Sequence, residues 1–444
     1  MKLLNRSDRR SFPTTLLPPS AFPAFARKPF FSHEILHTSR KEGSRARVGR
    51  LHTPHGIVDT PGFVVVGTNG AVKFVDHFTA DDAGMQLMFA NTLHLLVHPG
   101  MDHLSRAGGL HKLMRRDKPL ITDSGGFQIF SFANRGGLAL PGRDGEGVGS
   151  HPAKLDITED DDEVRVRGDG PDLKGSEKRR SKYIDGDDNP TAVSVSEWGA
   201  TFRSYRDGAT MHLSPESTIE AQKIIGADII IPLDDLPTAS IHGRTLADSV
   251  ARTHRWEARS LMTHTQDPRQ QAIYAVLHGG TDRDLRRQSV ETLSEYPFDG
   301  YAIGGSFGRD RSEMVEMLRY LMPLVPTDKP NHLLGMGDVD SIRAGVALGI
   351  DTFDSSFPTR LGRHGTLLTR EGPVKIRKVA YRDDYGPVDP RCDGFVSTRF
   401  SRAYLHHLWR ANEPAVHGLL TLHNIKFMMD MMADLRGAIM RDEI

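Results

Sequence analysis

Several residues able to do acid–base or nucleophilic chemistry stand where short apolar runs end. Asp123 closes "PLITD", Asp234 closes "DIIIPLD", His278 follows "AIYAVL" and Asp354 closes "GIDTFD", while Gly304–Gly305 and Gly337 follow "YAI" and "HLLGM". Singly, each has an ordinary structural role, since aspartate before glycine is common turn chemistry and aspartate is a common helix cap. Together, carboxylates at the ends of different strands suggest glycosyl chemistry. One can attack an anomeric carbon to give a covalent intermediate while another exchanges a proton with the leaving or arriving group. An apolar wall would raise the second one's pKa toward working pH.

Those residues need a scaffold that brings strand ends together. β-rich runs at 62–67, 87–92, 119–124, 228–234, 272–280, 301–305, 332–337 and 349–354 are mostly followed by segments of helical period, at 102–116, 214–226, 282–294, 311–323 and 339–348. Strand then helix, repeated, predicts a parallel sheet. The strands are almost wholly apolar, so both sheet faces are covered. About eight units over roughly 330 residues fit an α/β fold of the (β/α)8 TIM barrel type, whose active sites form at the C-terminal ends of the strands. No G-x-G-x-x-G follows the early strands, which weakens a dinucleotide-binding alternative.

Composition excludes other classes. A single cysteine, Cys392, cannot form an internal disulfide, and by itself it could be a nucleophile, a metal ligand, a buried hydrophobe or a leftover. No run approaches the ~18 apolar residues of a membrane span. Lys+Arg and Asp+Glu are balanced at 57 each, so any nucleic-acid contact must come from a local basic patch. Residues 1–29, basic and rich in Ser, Thr and Pro, read either as an organellar transit segment or as a disordered extension. The location is accordingly cytoplasmic, or mitochondrial or plastid. Residues 132–195, with blocks of like charge and few apolar residues, read as a disordered insertion inside the domain spanning 30–444.

Five stretches in order, "NTLHLLVHPG" (91–100), "DSGGFQIFS" (123–131), "TFRSYRDGATMHLSPE" (201–216), "GIDTFDSSFPTRLGRHG" (349–365) and "GLLTLHNIKFMMDMMADLR" (418–436), resemble the tRNA-guanine transglycosylase family, in its queuine-type form. The resemblance runs from about Phe31 to the C-terminus, interrupted by 132–195. It implies a (β/α)8 barrel that exchanges guanine at the wobble position of GUN-anticodon tRNA for queuine or a related deazaguanine base, acting on a flipped-out nucleotide. Carried over, Asp354 is the nucleophile and Asp123 the general acid/base. Ser124, Gly125, Gly126, Phe127, Asp234, His278 and Gly305 form the base pocket, with Phe127 stacking on the base and Asp234 reading its Watson–Crick edge. Thr359, Arg360, Leu361, Gly362 and Arg363 contact RNA. This agrees with a basic stretch at 358–382, where seven Arg and Lys face Glu371 alone. The family also implies a partner subunit, as a homodimer or as a heterodimer with a paralogue. One alternative is a non-catalytic tRNA-binding subunit of such a heterodimer.

The sequence departs from the family at three places. His278 stands where the family usually has Gln, so an imidazole N–H must replace an amide's paired donor and acceptor. Ser306 and Phe307 replace a commoner Leu and small residue, while Gly308 matches eukaryotic members and would leave room for queuine's cyclopentenediol. The family's structural zinc is held by three Cys and one His, and here those positions are Cys392, Gly394, Ser397 and His423. Neither Gly nor a neutral hydroxyl replaces a thiolate, so the zinc site of the C-terminal helical subdomain (386–444) reads as degraded, with Cys392 a relict and Asp393 a conceivable rescue ligand. A third class, a retaining glycoside hydrolase, would want Trp platforms, and the three Trp at 198, 256 and 409 lie away from the strand ends.

Overall fold

The computed structural model of the chain describes residues 14–126, 194–236, 245–308 and 310–444. Eight parallel strands close into a barrel: β1 (Gly62–Val66), β2 (Met88–Asn91), β3 (Leu120–Asp123), β4 (Ile229–Ile230), β5 (Ala272–Leu277), β6 (Gly300–Ile303), β7 (Asn331–Leu333) and β8 (Thr352–Ser355). Neighbours in sequence are neighbours in space. Closure is made by β8 against β1, with Asp354 opposite Val64. All eight strands lie within the runs read from the sequence or one residue beyond them.

The outer helices begin where local chemistry starts them. In α1 (Pro215–Ile225) and α2 (Leu246–Gln266), Ser214 and Thr245 form capping boxes with Ser217 and Asp248. Asp282, Asp310 and Asp338 accept first-turn N–H groups of α3 (Arg283–Ser294), α4 (Arg311–Leu321) and α5 (Val339–Ala347). Each such cap contributes about 1 kcal/mol. The expected helix at 102–116 is split into Met101–Ala107 and Leu110–Met114, because Gly108 and Gly109 take φ of 81° and 101°. Helix α2 escapes a reading by apolar period because its buried face carries Thr253, His254, Glu257 and His264.

The lower end of the barrel is stoppered by an antiparallel sheet of Ser32–Thr38, Arg47–Thr53 and Gly56–Thr60. Leu51 and Val58 of this sheet, with Phe31, join Val64, Phe89, Ile121, Tyr274 and Val276 in one apolar cluster inside the barrel. Tyr274 fills the space a side chain at Gly300 would need, since a Cβ there would lie 2.6 Å from the ring.

Three aspartates fasten this stopper. Asp228, Asp299 and Asp351 each stand one residue before β4, β6 and β8, and each accepts an N–H from the preceding strand, from Leu120, Ile273 and Asn331 respectively. Each also meets a basic group from the N-terminal segment: His55, Lys28 and Arg47. The Asp228 hydrogen bond raises the pKa of His55. The Arg47 guanidinium is bidentate on fully buried Asp351, at 2.8 and 2.6 Å.

These contacts correct the reading of residues 1–29. From Leu17 onward the segment belongs to the fold: Tyr296 donates its hydroxyl to the Leu17 carbonyl, Phe22 packs edge-on against Tyr296, and Lys28 pairs with Asp299. Residues 1–13 lie outside the described residues, as does most of the 132–195 stretch. Its last two residues, Ser194 and Val195, already belong to a strand of the antiparallel sheet Ser194–Ser196, Gly199–Arg203 and Thr210–Leu213. No helix among the described residues is long and apolar enough to cross a membrane.

Removing one partner from a buried ion pair strands the other charge. Arg47→Met should therefore cost about 3–5 kcal/mol of unfolding free energy by urea titration, and adding Asp351→Asn should recover part of it. A loss under about 1 kcal/mol would show that the pair does not hold the stopper.

Candidate active site

Both candidate catalytic carboxylates stand at strand ends on the upper side of the barrel and are fixed by hydrogen-bond donors. Asp123 ends β3; its Oδ2 accepts from Asn91 Nδ2 at 2.9 Å and its Oδ1 from the Thr92 amide at 3.0 Å. Asn91 and Thr92 sit at the end of β2, so the ladder pairing Asn91 with Asp123 aligns donor and acceptor. Their motif was legible in the sequence, but its role in holding Asp123 was not. Beyond Asp123 the chain turns at Ser124, whose hydroxyl accepts from the Gly126 amide, and at Gly125, with φ 89°. A Cβ at Gly126 would lie 3.1 Å from Asp234 Oδ1, so this turn passes directly over Asp234. Phe127 lies outside the described residues.

Asp234 is buried beyond β4. Its carboxyl is pushed up to about 7 by burial and, further, by the negative charge of Asp123. Behind it on α2, fully buried Glu257 accepts the Val276 amide through Oε1, while Oε2 meets no partner among the described residues. Burial, with Asp234 nearby, holds the Glu257 carboxyl well above the usual range.

His278 is buried, with Nε2 2.8 Å from the Thr253 hydroxyl, which also accepts the Asp235 amide. Burial and the Arg286 charge push the ring down to about 3, so it is a neutral imidazole. One of its nitrogens is thus committed to the scaffold that carries Asp234 and Asp235, and Nδ1 is the atom left for a ligand. Arg286, also buried, donates to the carbonyls of Leu277, Gly304 and Ser306 and ties the ends of β5 and β6 together. Nothing in "DLRRQ" distinguishes it from a surface arginine. Gly305 has φ 77° and lies against the His278 side chain. Gly308 does not open the expected space: a Cβ there would lie 2.4 Å from Glu313 Oε2, so the room belongs to α4.

Asp354 stands on β8 one residue before its end, with its side chain mostly buried. Oδ1 accepts the Gly335 amide at 2.8 Å and lies 3.1 Å from His332 Nε2, while Oδ2 meets no donor among the described residues. His332 was passed over in the sequence as the first residue of the run 332–337.

The five residues expected to contact RNA begin one turn after Asp354, on α6 (Phe357–Arg363). They do not all face outward. Thr359 and Gly362 are buried, and a Cβ at Gly362 would lie 2.8 Å from the Thr421 amide of α7 (Ala415–Met440). Arg360 is exposed and Arg363 half-buried, so these two offer charge to a phosphate. Arg370, farther along the basic stretch, is paired with Asp434.

The zinc expected from the resemblance does not fit the residues at its position. His423 Nε2 lies 2.7 Å from the Leu368 carbonyl and must donate to it, leaving Nδ1 to accept from the Ser397 hydroxyl at 3.3 Å. A side chain at Gly394 would run into Lys426, 2.7 Å away, and the Lys426 ammonium pairs with Asp393 and Asp430. Asp393 is thereby engaged by a cation and is no rescue ligand. Cys392 is buried. Elsewhere among the described residues, one group has ligand-like spacing: His55, His111 and Asp228. Its two imidazoles stack at 3.6 Å and 13°, so an ion in the plane of one ring lies far from the plane of the other. An imidazole binds metal along its in-plane lone pair at about 2.0–2.1 Å, which this stack does not permit. The trio is a hydrogen-bonded lock on the barrel's lower end.

A closed (β/α)8 barrel with two donor-fixed carboxylates and a third, partly neutral one around its upper mouth defines an enzyme scaffold suited to displacement at a sugar carbon. The chain belongs to the queuine tRNA-ribosyltransferase family, whose model matches residues 42–147 and 188–444. The unmatched internal residues, 148–187, fall inside the stretch read as an insertion, and residues 1–41 also lie outside the match. Curated proteins named queuine tRNA-ribosyltransferase are similar over nearly their whole length. The protein of Protochlamydia amoebophila (strain UWE25) is 47% identical over 94% of this chain and 97% of its own. That of Chlamydia felis is 44% identical over 92% and 98%, and that of Chlamydia pneumoniae 41% over 92% and 98%.

The raised pKa of Asp234 has a definite sign in stability. In the unfolded chain the group ionises near its ordinary value of 3.8, and in the folded protein near 7. Its neutral form therefore contributes stability in full below about pH 4, and the contribution is lost as pH rises to about 7. The difference in unfolding free energy between wild type and Asp234→Asn, followed by urea titration, should move in favour of the amide over that window and level off above it. A flat difference would mean that Asp234 is ionised throughout.

Proposed function

We propose that the chain is a tRNA-guanine transglycosylase that exchanges the wobble guanine of GUN-anticodon tRNA for queuine or a related deazaguanine through a covalent intermediate on Asp354. The observation that carries this reading is the pair of carboxylates at the ends of β3 and β8, each held by backbone and side-chain donors. Donors on a carboxylate fix its orientation, which a nucleophile and a proton-transfer group both need.

In the first step Asp354 attacks C1′ of the ribose, the C1′–N9 bond breaks, and the departing N9 takes the carboxyl proton of Asp123. In the second, Asp123 takes the N–H proton of the incoming base, the freed nitrogen attacks C1′, and the C1′–Oδ bond to Asp354 breaks. Asp234, beneath Gly126, is placed to accept N–H bonds from the base edge in its ionised form, so base binding should draw its proton off near neutral pH. Arg360 and Arg363, six and nine residues beyond Asp354 on α6, suit the phosphates flanking the flipped nucleotide. Retention of both carboxylates speaks against the non-catalytic subunit. A homodimer, or a heterodimer with a paralogue, is the assembly we expect.

We read the C-terminal subdomain as standing without zinc, held by the Ser397–His423–Leu368 bonds and by Met428, Met431 and Met432 of α7, all buried. The purified protein should carry well below one zinc per chain, and chelator should leave its melting temperature unmoved, because a structural zinc is part of the folding free energy. Stoichiometric zinc lost on replacing Cys392 or His423 would overturn this.

The purified chain alone should exchange labelled guanine into unmodified GUN-anticodon tRNA. Asp354→Asn should abolish exchange and the base-analogue-trapped RNA adduct on denaturing gels, while leaving the fold intact. Exchange only on adding a second subunit, or an adduct that survives the substitution, would count against the reading.

A further inference from the structure

We infer that His332 is a positioning residue for the nucleophile, fixing Asp354 so that Oδ2 is the attacking oxygen. The inference rests on the assignment of Asp354 proposed above.

His332 lies on β7 with no exposed surface, opposite Thr352 in the β7–β8 ladder. Residues opposite one another in a ladder share a face, and Asp354, two residues beyond Thr352, shares it too. The ring therefore has Nδ1 2.9 Å from Thr352 Oγ1 and Nε2 3.1 Å from Asp354 Oδ1, with Phe89 stacked on it from inside the barrel. A carboxylate only accepts, so the Asp354 contact requires hydrogen on Nε2. The Thr352 hydroxyl, which can donate or accept, completes Nδ1. That hydroxyl also lies 3.2 Å from the Asn331 carbonyl, and its single hydrogen serves one of the two acceptors, Nδ1 when the ring is neutral.

The consequence is an asymmetric carboxylate. Oδ1 receives two donors, His332 and the Gly335 amide, which lie on β7 and in the loop after it, and Oδ2 receives none among the described residues. A side chain with one oxygen pinned from two directions has lost its χ2 freedom, and the other oxygen presents its lone pair in one direction. Attack at C1′ needs such alignment, and a misplacement of about 1 Å can cost roughly 100-fold in rate. The same two donors stabilise Oδ1 as the carbonyl-like oxygen of the glycosyl ester once Oδ2 has bonded to C1′.

His332→Phe keeps the ring and its stacking but removes the N–H. In the full-length protein it should lower kcat for guanine exchange by about 100-fold, with KM for tRNA and for guanine within about threefold, because the loss lies in alignment and not in binding. His332→Gln places an amide N–H near the Nε2 position and should return kcat to within about tenfold of wild type. Wild-type kcat in His332→Phe, or Gln no better than Phe at equal melting temperature, would overturn the inference. Should His332→Phe fail to fold, Thr352→Val decides the matter. It removes the hydroxyl from Nδ1, and a severalfold fall in kcat at constant KM supports the relay while unchanged kcat overturns it. Wild-type exchange by Asp354→Asn would instead remove the nucleophile assignment itself, an outcome distinct from any of these.

Discussion

The ring of three aspartates at the lower end of the barrel is the interaction on which the rest depends. A closed parallel sheet has strand starts whose first N–H groups need acceptors, and a buried orphan N–H is costly. Asp228, Asp299 and Asp351 supply acceptors on alternate strands, and His55, Lys28 and Arg47 neutralise the charges this buries. The stopper sheet and the segment before it are thereby bound to β4, β6 and β8. Asp351 is three residues from Asp354, so the anchor at one end of β8 sets the height of the proposed nucleophile at the other.

The upper end uses the same chemistry for a different purpose. There too, carboxylates accept N–H groups from the adjacent strand: Asp123 from β2's Asn91 and Asp354 from His332 of β7. Below, each aspartate meets a partner from the stopper. Above, Asp354 keeps one oxygen without a donor among the described residues, and Asp234 is buried deeply enough for burial and Asp123 to raise its pKa. One end is satisfied and rigid. The other is held in position but left chemically incomplete, which is the usual division of labour in this architecture.

The structure around the family's zinc position is accounted for by ordinary packing. A tetrahedral thiolate site concentrates several bonds on one ion. Here a hydroxyl–imidazole–carbonyl chain, the stem of Lys426 and the methionines of α7 occupy the same region. Asn424 adds to this by donating to the carbonyls of Pro358 and Thr366 and accepting the Leu368 amide, which fastens α7 to α6 and to the strand after it. Cys392 remains as a small buried side chain.

The sequence by itself determined the barrel and the placement of Asp123, Asp234 and Asp354. Strand period, cap chemistry and residues at strand ends are local properties, written within a few positions of one another. Only the tertiary structure decided what those residues touch. Glu257 lies 23 positions from Asp234, and Arg286 reaches carbonyls 9, 18 and 20 positions away; their roles arise from closure of the sheet, not from their neighbours in the chain. His332 went unread because inward and outward positions of a buried strand look alike in the local sequence. Gly308 read as space for a substrate, and packing gave that space to Glu313. Residues 1–29 read as a transit segment or a disordered extension because charge without apolar period has no local partner, and the partner of Lys28, Asp299, is 271 residues away.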